Sequence, residues 1–187
     1  MRARDNPFAS HRTGAIPFIF QEGSLEAVIE AIKARGFRAG IGGPHGSGKS
    51  TLLREVRKRL AEEGFPVHFI FLSASRKLIS TGDLICALRT GASGGIVLID
   101  GAEQLPRALW HPVRILCPRL VVTTHTECLL PFIYCCRPSS KVLHGLIDRL
   151  LGGEAERERR RADELYALQG GNIREVFRSF YDYYAGR

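Results

Sequence analysis

The sequence predicts an α/β protein: a parallel five-stranded sheet flanked by helices, followed by a small C-terminal three-helix unit. Three observations carry that expectation. Short apolar runs alternate with amphipathic segments up to Pro138, the pattern of strand–helix units in a parallel sheet. A glycine-rich loop, GPHGSGKS at 43–50, joins the first of these runs to a helix. Beyond Pro138 the runs stop and only helical periodicity continues.

Each element has its own reason. Ser24 to Arg35 places Leu25, Val28, Ile29 and Ile32 on one face and stops at Gly36, a helix with a C-terminal glycine. Phe37 to Gly42 is the first strand. Lys49 to Gly64 carries Leu52, Leu53, Val56 and Leu60 at helical spacing. Pro66 to Leu72 is the second strand and Leu78 to Leu88 a helix. Ile96 to Ile99 is an unbroken apolar run ending in Asp100, which suits a strand buried on both faces. Leu105 to Leu116 is a helix started by Pro106 and disturbed by Pro112. Leu120 to Val122 is a further strand, ending in Thr123, Thr124 and His125, and Leu130 to Cys136 is the fifth. Lys141 to Leu151 is helical until Gly152-Gly153 breaks it, and Glu154 to Gln169 is a strongly charged helix. The last begins with Asn172, three residues before Glu175, an Asn variant of the capping box. It lines up Ile173, Val176, Phe177, Phe180, Tyr181 and Tyr184 on one stripe. Three such helices are too few to be stable alone and must pack on something. The expected domains are 1–138, with 1–22 as an N-terminal linker segment, and 139–187.

The loop has the full G-x-x-x-x-G-K-[ST] form. Glycines at 43, 46 and 48 let the backbone approach phosphates and turn its N–H groups inward. The helix that follows aims its free N–H groups and its dipole at the same anion. Gly43, Pro44, His45, Gly46, Ser47, Gly48, Lys49, Ser50 and Thr51 are therefore the candidate nucleotide-binding residues. Lys49 is suited to the β and γ phosphates, and the Ser50 hydroxyl to the Mg²⁺ that neutralises them. Asp100 is the second metal candidate: an ionised acid at the end of a buried strand is costly unless something pairs it. In an open α/β sheet the ligand crevice lies outside the carboxyl ends of the strands, so Thr123, Thr124 and His125 fall near the γ phosphate if their strand adjoins that of Asp100.

Phosphate loop, acid-ended strand, polar-ended strand and the helical tail beginning Gly171-Asn172-Ile173-Arg174 occur in the order found in P-loop NTPases of the AAA+ type. The chain most resembles their compact, initiator-like and ATP-binding-regulator branch. Asp5-Asn6-Pro7-Phe8 and VVTTH also resemble a family of small, uncharacterised bacterial P-loop proteins. The first resemblance implies Walker A at Gly43 to Ser50, Walker B at Ile96 to Asp100, a sensor 1 position at Thr124 or Thr123, and a sensor 2 arginine at Arg174. It also implies that residues 139–187 form a helical lid, with Arg174 directed at the γ phosphate of ATP.

Two departures bear on catalysis. Relatives in that superfamily carry a water-polarising glutamate directly after the Walker B acid, where this chain has Gly101. The nearest acid is Glu103, which reaches the water only if the turn after Asp100 folds back, since a general base needs hydrogen-bond reach first. An arginine finger is also expected just before the strand that follows sensor 1, but Thr126 to Phe132 contains no arginine, and Arg137 is the nearest substitute. A ring with arginines acting in trans is not supported. The expected catalytic set is Lys49, Glu103, Thr124 and Arg174, with slow Mg²⁺-dependent ATP hydrolysis driving a conformational switch for a protein partner. Two alternatives stay open: a small-molecule kinase, whose acceptor-site acid is not found between Pro66 and Ser75, and a nucleotide-gated binding module with little or no hydrolysis.

Composition narrows the setting. At 187 residues the chain can bury one substantial core. Nothing approaches the ~18 apolar residues of a membrane span, and the N-terminal segment lacks a signal peptide's apolar core, so a cytoplasmic location without membrane contact is expected. Five cysteines without paired C-x-x-C spacing argue against a disulfide framework. His125, Cys128, Cys135 and Cys136 bring zinc to mind, but adjacent cysteines in a strand point to opposite faces, and buried thiols are the favoured reading. The net charge of +8 is spread along the chain, and the arginines at 157 and 159–161 are interleaved with acids. That distribution fits weak, salt-sensitive nucleic-acid contact without a sequence-reading motif. No N-K-x-D guanine motif is present, which leaves ATP as the expected nucleotide.

Overall fold

The computed structural model describes residues 3–126, 130–153 and 155–186. In chain order its helices and strands begin with α1 (Ser10–Thr13), α2 (Leu25–Ala34), β1 (Arg38–Gly42), α3 (Lys49–Glu62), β2 (Val67–Phe71), α4 (Thr81–Ala92) and β3 (Ile96–Asp100). They continue with α5 (Arg107–Leu116), β4 (Leu120–Thr124), β5 (Phe132–Cys135), α6 (Ser140–Leu151), α7 (Glu156–Leu168) and α8 (Ile173–Ala185). Two compact units result: Glu22–Gly43 with Lys49–Cys136, and Met1–Gln21 with Pro44–Gly48 and Arg137–Arg187.

The larger unit is a five-stranded sheet of order β2-β3-β4-β1-β5 with every pair parallel. β3 and β4 are buried along their whole length, which explains their unbroken apolar runs. Their register pairs Ile99 with Val122, so Asp100 and Thr123 leave the sheet side by side. β4 also pairs with β1, Gly42 opposite Thr124. The polar end of β4 thus stands between the glycine-loop strand and the acid-ended strand. α3 buries Leu52, Leu53, Val56 and Leu60 and touches four of the five strands. Another core cluster gathers Ile70, Leu72, Val97, Ile99, Leu120 and Val122 with Val113 of α5.

Two helices depart from their expected form. α4 starts at Thr81, not Leu78, because the Ser80 side chain accepts the Asp83 N–H at 3.1 Å and caps the helix there. Leu78 is left outside, 62% exposed. α5 continues past Pro112, and Pro106 serves as its N-cap, a position that needs no amide proton.

The smaller unit is helical. Leu143, Ile147 and Leu150 of α6, Ala162 of α7, and Ile173, Val176 and Phe180 of α8 form its core. The N-terminal segment completes it. Phe8 is 3% exposed and stacks on Phe180 with ring centroids 4.7 Å apart. Asn6 is buried, its amide donating to the Tyr181 carbonyl at 2.9 Å and its Oδ1 accepting from the Phe8 N–H. Residues assigned from sequence to a linker of the first domain therefore pack with the C-terminal helices: three short helices leave an apolar face, and Phe8 covers it. The cap of α8 also differs in detail, since Asn172 Oδ1 accepts from the Arg174 N–H, two residues on.

Candidate functional site

In the sheet unit the ends of β1, β3 and β4 bring one set of polar side chains together. α3 opens at Lys49 directly after the loop, and the Lys49 ammonium donates to the Gly43 carbonyl at 2.7 Å. Ser50, in the first turn of α3 beside Thr51, donates its hydroxyl to Asp100 Oδ1 at 3.0 Å. Thr123 donates to the same oxygen at 2.6 Å while its own oxygen accepts the Gly101 N–H at 3.0 Å. Asp100 is 3% exposed, and its Oδ2 has no hydrogen-bond partner among the described residues. A buried carboxylate oxygen left bare is costly, and an ordered water or a cation relieves it.

The donors fit Mg²⁺. No group of three or more His, Cys, Asp or Glu side chains among the described residues could hold a metal ion. An ion here would take Ser50 and Asp100 with phosphate and water oxygens, the sparse protein ligation that Mg²⁺ favours. Of the zinc candidates, Cys128 lies outside the described residues, Cys135 is exposed and Cys136 is buried. Burial pushes the Cys136 thiol up to about 12 against the opposing pull of the Lys49 ammonium, so it remains a neutral thiol.

The two threonines divide their work. Thr123 grips Asp100, whereas the Thr124 hydroxyl accepts the Thr126 N–H at 3.1 Å and caps its own turn. Both are buried.

Gly101 explains the missing glutamate. Its φ is +80°, and a Cβ there would stand 2.5 Å from the Leu72 carbonyl oxygen. No side chain fits directly after Asp100. The chain then folds back in a 3₁₀ turn, Ala102–Gln104, closed by the Gln104 N–H on the Gly101 carbonyl. That turn returns Glu103 Oε1 to 3.9 Å from where a Gly101 Cβ would be. Glu103 Oε1 also lies 3.1 Å from His125 Nδ1, a partner that sequence reasoning missed. The available signal was the strand order: with β4 beside β3, the residue after Thr124 falls near the turn after Asp100.

The remaining predicted residues belong to the helical unit. There a side chain at Gly46 would run into Asn172 Oδ1 and stand 3.1 Å from the Arg174 backbone nitrogen. Pro44 and His45 are exposed, and Ser47 is buried with its hydroxyl unpartnered. The Arg174 side chain is exposed.

Among solved structures the chain is similar to NtrX from Brucella abortus in complex with ATP, with a TM-score of 0.54 at 14% identity over 95% of this chain and 54% of that one. The same protein in complex with ADP gives a TM-score of 0.51 at 14% identity and the same coverage. The fold is that of a P-loop NTPase. The chain spans about half the length of these NtrX structures. No protein-family model and no curated protein matches it.

Proposed function

We propose that the chain is an ATP-binding protein of the AAA+ type that holds Mg²⁺-ATP at Gly43 to Thr51 and hydrolyses it slowly. The observation that carries the reading is the Ser50–Asp100 pair with a bare, buried Asp100 Oδ2, in a chain whose sequence has a complete phosphate-loop motif. The likeness to NtrX, solved with ATP and with ADP, supports the choice of nucleotide. Lys49 exchanges the Gly43 carbonyl for phosphate oxygens, the α3 N–H groups face the same anion, and Ser50 and Asp100 hold the metal. When bound, Mg²⁺ neutralises charge on the β and γ oxygens. Glu103 takes the place of the missing glutamate as the carboxylate that orients water. Thr124 and Arg174 complete the set, Arg174 as a phosphate-sensing guanidinium.

In this proposal the output is a conformational state passed to a protein partner in the cytoplasm, since slow turnover suits a switch better than a motor. The positive charge adds weak, salt-sensitive nucleic-acid contact. Gly101 favours one second reading, a nucleotide-gated binding module with little hydrolysis.

Single-turnover mixing with γ-labelled ATP and Mg²⁺, in the presence of nucleosides and sugars as acceptors, tests the choice. The expected result is label released to water, slowed by at least about 100-fold in Glu103→Gln, the scale of a lost general base. Label passing to an acceptor faster than to water would make the protein a kinase. ATP bound but never cleaved would leave the binding module.

A further inference from the structure

We propose that His125 is a positioning residue for hydrolysis: its imidazole anchors Glu103 by Oε1 and leaves Oε2 to take the proton of the attacking water. The inference rests on the ATPase reading above and adds a residue to that site.

Gly101 excludes a side chain directly after Asp100, so the acid comes from the far side of a 3₁₀ turn. A glutamate reaching back from there has three side-chain torsions to fix and needs an anchor. His125, immediately after β4, provides one at 3.1 Å. An ionised carboxylate only accepts, so Nδ1 carries the proton that it donates. The Glu103 side chain is 12% exposed and that of His125 27%. Buried at this depth, a carboxylate needs its hydrogen bonds, yet Glu103 Oε2 has no partner among the described residues. One oxygen is held and the other is left over, as is Oδ2 of Asp100.

The step balances. Water oxygen forms a bond to the γ phosphorus as the bond from that phosphorus to the bridging oxygen breaks, and ADP leaves with the electron pair. The water proton passes to Glu103 Oε2 and then to the phosphate product or solvent. His125 keeps its Nδ1 proton throughout and never touches the reacting atoms.

The test compares wild type, His125→Ala, His125→Asn, Glu103→Gln and the His125→Ala/Glu103→Gln double variant, reading ATP affinity and the single-turnover rate separately. Asparagine places an amide N–H close to the imidazole Nδ1 position, so it restores the anchor without the ring. His125→Ala is expected to slow turnover about 10- to 100-fold, a partial loss of the general-base contribution, with ATP affinity within about 2-fold. His125→Asn is expected to recover most of the rate, and the double variant to turn over no more slowly than Glu103→Gln, because residues acting as a unit are non-additive. His125→Ala at the wild-type rate, His125→Asn as slow as His125→Ala, or strictly multiplicative losses in the double variant would each overturn the inference and leave the ATPase reading standing. A wild-type protein that binds ATP and never cleaves it would overturn both.

Discussion

Gly101 shows how one residue redirects a site. Its left-handed φ and the Leu72 carbonyl 2.5 Å from a would-be Cβ close that position to every side chain. Replacing it with the expected acid therefore damages the protein. Gly101→Glu should lose about 1–3 kcal/mol from backbone strain alone, with further loss from the clash, and should melt below wild type in a thermal scan. A Gly101→Glu protein as stable as wild type would mean the turn can relax, contrary to this geometry. At this scale the sequence was legible where residue type and spacing carry the chemistry, as at Ser50 and Asp100, whose side chains share one hydrogen bond. It was illegible where a partner is set by strand order. Thr123 and His125 lie more than twenty residues from Asp100 and Glu103, and only the β3–β4 pairing joins them.

At the scale of elements, strand positions followed from apolar runs because buried parallel strands tolerate little else. Helix starts depended on caps. Ser80 and Asp83 set the start of α4 through one hydroxyl, a signal weaker than the apolar spacing that suggested Leu78. The N-terminal segment was harder still, since a single aromatic in a polar stretch has no periodicity to read. Its role follows from what Phe8 touches: Phe177, Phe180 and Tyr184, all on α8. Phe8→Ala should cost about 3–5 kcal/mol, the range for deleting a buried aromatic. Hydrogen exchange would register it as lost protection in α8, while β3 and β4 retain theirs. Unchanged exchange in α8 would show that the segment adds nothing to the helical unit.

At the scale of the whole molecule, a doubly covered parallel sheet and a helical unit divide the chain, and each carries part of what the sequence marks as one site. The sheet unit has Lys49, Ser50, Asp100 and Glu103; the helical unit has loop residues 44–48 and Arg174. No helix among the described residues is long and apolar enough to cross a membrane. Charge is spread rather than gathered, so it predicts salt-sensitive contacts and identifies no partner. On the proposed reading the 43–51 loop, together with Asp100, binds nucleotide through a metal. Calorimetric titration of ATP into wild type and Lys49→Ala, with and without Mg²⁺, tests it most directly. Binding that requires both Mg²⁺ and Lys49 is the predicted result; ATP binding equally well to Lys49→Ala, or not at all to wild type in Mg²⁺, would contradict the account.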